Sequence, residues 1–80
     1  MMIDDLEPSA RRAARRFCLE APTFNEHLLE STLDPAAVRA LIRSELVSRR
    51  LVNGVGAISL TPAGQWEVAR KWPKAGLPLK

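Results

Sequence analysis

Arginine is the residue type whose number and spacing in this chain best suit a chemical task. Nine of the twelve basic residues are arginines, and the planar fork of a guanidinium group matches a phosphate or the edge of a guanine base. Arg39 and Arg43 are four residues apart, so in a helix they lie one turn apart on the same flank. The arginine content mildly favours a nucleic-acid partner, although it also accompanies a GC-rich genome.

Four more arginines lie in a segment with helical periodicity. Apolar residues recur at three- and four-residue spacings, which predicts an amphipathic helix over about residues 8–21. Its opposite face holds Arg11, Arg12, Arg15 and Arg16. We expect this face either to be solvated, which is the commoner case, or to contact phosphates or an acidic partner. Cys18 falls on the apolar side and is interpreted as a small core residue rather than a nucleophile.

Residues that support catalysis or metal binding are scarce. With one Cys and one His, the chain lacks an internal disulfide and the ligand set of a structural zinc site. His27 has no Ser, Cys or Asp partner at a recognisable spacing, and we interpret it as a satisfied histidine at the edge of the core. Gly54 and Gly56 lack the helix start and the lysine of a nucleotide-binding loop. The sequence therefore predicts no enzyme activity, no cofactor, no metal and no small-molecule ligand.

Length and charge define one small domain. Eighty residues, 46% of them apolar, can bury a single core over the whole chain. No apolar run approaches the ~20 residues of a membrane span, and the acidic start does not resemble a signal peptide, so we expect a cytoplasmic protein. The formal net charge of +3 is unevenly placed. Residues 1–7 form an acidic leader, residues 20–34 carry four acids and no Lys or Arg, and residues 73–80 are expected to form a flexible basic tail.

Two capping signals predict the next two helices. Thr23 and Glu26 match a capping box, which predicts a short helix over about residues 24–31 with Phe24 and Leu28 on its apolar face. Asp34 and the proline after it predict a third helix over about residues 35–48. Its expected buried stripe is Val38, Leu41, Ile42 and Leu46. Two short helices separated by three residues form a helix-turn-helix pattern.

The exposed side of the third predicted helix has two features. Arg39, Arg43 and Arg50 line up along one flank, and the face opposite the core carries the small residues Ala36, Ala40 and Val47. Small side chains let a helix lie close to DNA bases or against a partner helix, and the sequence does not decide between these two partners.

The periodicity changes after residue 50. Residues 51–61 predict two short strands around a glycine-rich turn over residues 53–56, because Asn-Gly supplies the positive φ of a tight hairpin. Thr61 and Pro62 then begin a last helix, which we expect to direct Trp66, Ala69 and Trp72 toward the core.

This order of elements resembles that of winged helix-turn-helix domains. Residues 34–71 resemble the second half of such a domain in MarR-like and related bacterial or phage regulators. Residues 46–52 (LVSRRLV) are similar to the family's exit from its recognition helix, which has a leucine, polar residues and then G-L-V. Residues 58–64 (ISLTPAG) are similar to its L-T-x-x-G start of the following helix. The chain departs from the family pattern at Arg50, where a glycine is usual, and in a short wing whose tip has no Lys or Arg.

The resemblance implies a mainly α fold with a small β-hairpin: a three-helix core, a short wing and a C-terminal helix. It also implies a small DNA-binding protein, a transcription regulator of bacterial or phage origin, whose third helix (about residues 35–48) enters the major groove. The residues expected at the bases are Arg39, Arg43, Ala36, Ala40 and Ser44. Those expected on phosphates are Arg49, Arg50, Arg12 and Arg16.

One module of this size buries little DNA surface, so a homodimer or a larger complex is expected. The alternative is a winged-helix protein-interaction module that docks on a host protein or assembly. The uncharged wing tip, the acidic residues 20–34 and the small-residue strip of the third helix favour this alternative.

Overall fold

The computed structural model describes residues 3–73, in which three α-helices pack with a three-stranded antiparallel sheet. The elements are α1 (Pro8–Glu20), β1 (Leu28–Leu29), α2 (Pro35–Arg43), β2 (Val47–Val52), β3 (Val55–Leu60) and α3 (Pro62–Lys71), with single 3-10 turns at Ile3–Asp5 and Glu30–Thr32. β3 is the central strand, between β1 and β2. Within this part of the chain no helix is long and apolar enough to cross a membrane. The result is a small α+β fold whose layout is consistent with a winged helix; the predicted basic tail lies, beyond Pro73, outside the described residues.

The first predicted helix is confirmed. α1 begins at Pro8, where the missing N–H costs nothing, and Phe17 and Cys18 are fully buried on its inner face. The acidic leader also contributes to the core, which the charge pattern alone did not indicate. Ile3 is fully buried and Leu6 nearly so, and the 3-10 turn that contains Ile3 packs against α1.

The predicted helix over residues 24–31 is wrong. The capping contact between Thr23 and Glu26 does form, with the Thr23 N–H donating to Glu26 Oε1 at 3.1 Å, but it closes only a turn. Leu28 instead pairs with Ile58 of β3, so the chain leaves the turn as strand β1. Phe24, expected in the core, is 47% exposed. Pairing with a strand thirty residues away outweighs a local helix signal, because short helices are marginal without packing.

The third predicted helix forms but ends five residues early. α2 stops at Arg43, and Glu45 takes a left-handed φ of 63° that turns the chain into β2. Val38 and Leu41 are buried as predicted, Ile42 is half-buried, and Leu46 is buried from the turn. Val47, predicted on an exposed strip, is buried at the start of β2. The helical wheel fails beyond residue 44 because backbone pairing with β3 replaces the helical ladder.

The hairpin is longer than predicted, and it carries charge. Asn53 and Gly54 have φ values of 54° and 78°, as in a two-residue turn of the type whose twist matches the strands. Six residue pairs join β2 to β3, from Val47 with Leu60 to Val52 with Val55. Because β2 begins at Val47, Arg49 and Arg50 belong to the hairpin, and the expected alignment of Arg50 with Arg39 and Arg43 on one helix is wrong.

The last helix begins as predicted but presents a different face to the core. The Thr61 hydroxyl accepts a hydrogen bond from the Gly64 N–H at 2.9 Å, which caps α3. Gly64 and Val68 are buried, whereas Trp66 is 74% exposed. Trp72 is half-buried against the core. The prediction for Trp66 is therefore wrong: the close contact of Gly64 with the preceding turn sets the helix rotation and directs Trp66 outward.

Gly64→Ala tests this close contact. A methyl group at residue 64 would overlap the Leu46 carbonyl oxygen, which is backbone and cannot move aside. We expect the substitution to lower the free energy of unfolding by about 1–3 kcal/mol, measured by urea denaturation. Ala63→Ser on the exposed side of the same turn is the control and should change stability by less than about 0.5 kcal/mol. A Gly64→Ala variant as stable as the parent would contradict the contact.

Candidate nucleic-acid interface

The exposed face of α2 presents two unengaged guanidinium groups. Ala37, Val38 and Leu41 anchor the inner face in the core, which leaves Arg39 and Arg43 exposed. Neither arginine has a hydrogen bond or ion pair with another residue of the described range 3–73. Their four-residue spacing on a continuous helix places them on one side, as predicted. On α2 this pair supplies charge that is both exposed and free to meet a ligand.

The small residues of α2 divide between the surface and the core. Ala36 is exposed beside Arg39, at the start of the helix. Ala40 is half-buried and packs against the core. The Ser44 hydroxyl donates to the Ala40 carbonyl at 2.9 Å, so it completes the end of the helix. The predicted strip of small residues is therefore reduced to Ala36, with Ala40 at its margin.

The two arginines of β2, Arg49 and Arg50, are engaged on opposite faces of the hairpin. Arg49 donates from Nε and Nη2 to the two carboxylate oxygens of Glu30, at 3.1 and 2.8 Å. Gly56 gives this pair its room, since a Cβ there would lie 2.9 Å from Glu30 Oε1. Arg50 donates from Nη1 to the Ser59 hydroxyl at 3.3 Å. Both arginines are exposed, so a ligand can reach them, but a phosphate must compete with Glu30 for Arg49.

The arginines of α1 also differ in their engagement. Arg16 donates from Nε to Glu20 at 2.9 Å and from Nη1 to the Thr32 carbonyl at 2.7 Å. It thereby ties the 3-10 turn before α2 to α1. Arg12 is exposed and has no hydrogen bond or ion pair within the described residues. Both side chains border a small cleft that Asp34, the N-cap of α2, also lines.

The residues considered for catalysis are separated. Cys18 is fully buried, and burial raises the pKa of its thiol, which keeps it neutral; this confirms its interpretation as a core residue. His27 is exposed, so its placement at the core edge is wrong. Its segment turns toward β1 instead of forming a helix. Among residues 3–73 no three His, Cys, Asp or Glu side chains are grouped to hold a metal ion.

Glu30 is the interface residue that sequence reasoning missed. It lies 19 residues before Arg49, and the two meet only because β1 and β2 flank β3. Charge pattern gives no signal for such a pair. Recognising β1 would have supplied one, since the residue after Leu29 then falls beside Gly56.

Comparisons with models of known protein families, with curated proteins and with solved structures gave no match to this chain. The fold therefore defines the class, a small α+β domain with a layout consistent with a winged helix.

Stability measurements should separate the structural arginine from the free ones. Arg16→Ala removes two contacts and should lower the free energy of unfolding by about 1 kcal/mol. Arg39→Ala and Arg43→Ala each remove an unengaged side chain and should change stability by less than about 0.5 kcal/mol. Urea denaturation midpoints of the three variants provide the comparison, and equal losses in all three would contradict this division.

Proposed function

We propose that this protein binds double-stranded DNA as a winged-helix transcription regulator of the bacterial or phage type, with α2 in the major groove. The observation that carries the proposal is the pair Arg39 and Arg43. Both are exposed and unengaged on the helix that directly precedes the hairpin. A buried inner face holds that helix in place, so binding does not require the backbone of α2 to become ordered.

The dimensions of α2 suit base contacts. Nine residues make a helix of about 13 Å, and side chains one turn apart are separated by about 5–6 Å. Arg39 and Arg43 can therefore reach neighbouring base pairs, which are stacked about 3.4 Å apart. The small side chain of Ala36 permits close approach at the N-terminal end. A bidentate arginine contact with guanine contributes about 1–3 kcal/mol of discrimination.

The wing and α1 supply the proposed phosphate contacts. Arg49 and Arg50 are exposed on β2. They give the wing positive charge, although its tip, at Asn53 and Gly54, is uncharged. Arg12 offers a free guanidinium group near the start of α2. A single module buries little DNA surface, so the proposal includes a homodimer on a two-fold symmetric DNA site. Light scattering would measure the mass of this dimer.

Selection of random duplexes on the purified protein, followed by anisotropy titration, tests base contact. We expect Arg39→Ala and Arg43→Ala each to weaken binding to the selected sequence by about 1–3 kcal/mol, or about 5- to 150-fold, and to relax base preference. Arg70→Ala is the matched control, because it removes one exposed arginine on α3 and leaves α2 untouched. Binding that is weak, independent of sequence and equal in all three variants would contradict the proposal.

Glu30→Gln tests the wing. Removing the carboxylate charge frees Arg49 for a phosphate, so affinity for random duplex should rise and the salt dependence should steepen by about 0.9 in log K against log salt. Glu67→Gln is the matched control, because Glu67 pairs with Arg70 at 2.8 Å on α3. An equal response to both substitutions would mean that net charge alone acts and that the wing is not at the DNA.

The second candidate function is a protein-interaction module, and exposed aromatic residues favour it. Trp66 is 74% and Phe24 47% exposed, and the Phe24 N–H donates to Gln65 beside Trp66 at 2.9 Å, which brings the two segments together. Exposed aromatic residues are typical of binding surfaces. An adaptor of this kind would show almost no salt-dependent affinity for duplex DNA, so the same titration separates the two functions.

A further inference from the structure

A second charged surface adjoins the proposed DNA interface and shares Arg12 with it. α1, the 3-10 turn Ile3–Asp5 and the end of α3 border an open groove of ≈ 540 Å³. Its charged and aromatic walls are formed by Asp4, Arg11, Arg12, Arg15, Lys71 and Trp72. These residues come from three separate segments, which explains why the sequence alone predicts no ligand site here.

The groove is strongly positive. Four cationic side chains line it against one carboxylate, that of Asp4. Asp4 is already engaged by Lys71, and this hydrogen bond lowers the pKa of the carboxyl group. Arg11 is fixed by donation from Nη1 to the Leu6 carbonyl at 2.6 Å. The remaining charge belongs to Arg12 and Arg15, which have no hydrogen bond or ion pair among the described residues.

An aromatic ring orients one of these two arginines. The guanidinium carbon of Arg15 lies 5.3 Å from the centroid of the Trp72 ring, within the range of a cation–π contact. The backbone N–H of Trp72 donates to the Val68 carbonyl at 2.9 Å, which fixes the residue at the end of α3. This contact does not occupy the N–H donors of Arg15 in a hydrogen bond, so they are available to an anion.

We propose that this groove binds a small phosphorylated molecule of about the size of a nucleoside diphosphate, with its phosphate oxygens held by Arg12 and Arg15. Two adjacent guanidinium groups can donate to several oxygens of one phosphate. A carboxylate ligand has only two oxygens and would use fewer of these donors. The volume falls within the range of about 300–1,000 Å³ that is usual for small-ligand sites. A DNA backbone carries the same phosphate chemistry, but the Asp4 carboxylate on the wall of the groove would repel a long polyanion, which favours a small free ligand.

Trp72 fluorescence tests the proposal. Trp66→Phe, at an exposed position, leaves Trp72 as the single tryptophan of the chain. In this background we titrate inorganic pyrophosphate and ADP at constant ionic strength, with sodium chloride as the salt control. A saturable change with a Kd below about 1 mM is expected. Arg12→Ala should weaken the binding of both probes at least about 10-fold. The control is the double variant Arg39→Ala, Arg43→Ala, which removes arginine charge from α2 and should leave the binding of the probes unchanged.

Arg15→Lys is the second variant, because it keeps the charge but loses the planar fork. It should also weaken binding, with folding checked by circular dichroism. The proposal is overturned if neither probe gives a saturable change, or if Arg12→Ala and Arg15→Lys leave that change intact. It is also overturned if these variants reduce only duplex DNA binding, because the groove then contacts the backbone. If the protein binds pyrophosphate but not duplex DNA, the proposed anion site is supported and the DNA proposal is rejected. The two proposals can therefore fail separately.

Discussion

The turn between α2 and β2 is the constraint on which the arrangement of the other elements depends. The Leu46 N–H donates to the Leu41 carbonyl at 3.1 Å, and the Leu46 carbonyl accepts from the Thr61 N–H at 3.0 Å. The Thr61 hydroxyl donates to the Glu45 carbonyl at 2.8 Å while it caps α3 at Gly64. One turn thus joins the end of α2, the start of the hairpin and the start of α3. The relative positions of the α2 and wing arginines are set here.

This junction also gives a physical reason for the L-T-x-x-G pattern at residues 60–64. Thr61 is needed because one hydroxyl both donates to the preceding turn and accepts from the helix N-terminus. Gly64 is needed because the helix lies against the Leu46 carbonyl, with no room for a Cβ. In this chain the pattern therefore meets a packing requirement at the base of the hairpin. It is informative about architecture and says little about what α2 contacts.

Local signals predicted the element starts, and non-local pairing decided the rest. The starts of α1, α2 and α3 follow from prolines and caps, and the hairpin follows from Asn53 and Gly54. The end of α2, strand β1 and the outward direction of Trp66 depend on contacts with distant segments, which periodicity does not contain. For the interface, the sequence placed Arg39 and Arg43 on the exposed side of α2. It did not show that Glu30 occupies Arg49 or that Arg16 is bound to Thr32.

The loss of the second predicted helix explains why Arg16 and Arg49 make structural contacts in this protein. A helix over residues 24–31 would satisfy its own backbone, whereas the 3-10 turn Glu30–Thr32 has almost no internal ladder. Arg16 and the Thr32 hydroxyl, which donates to the Leu29 carbonyl at 2.7 Å, provide the missing contacts. Glu30 in the same turn then meets Arg49. Arg39 and Arg43 on α2 and Arg12 and Arg15 on α1 have no hydrogen bond or ion pair among the described residues. The engagement of Arg16 and Arg49 is therefore a consequence of replacing a helix by a strand.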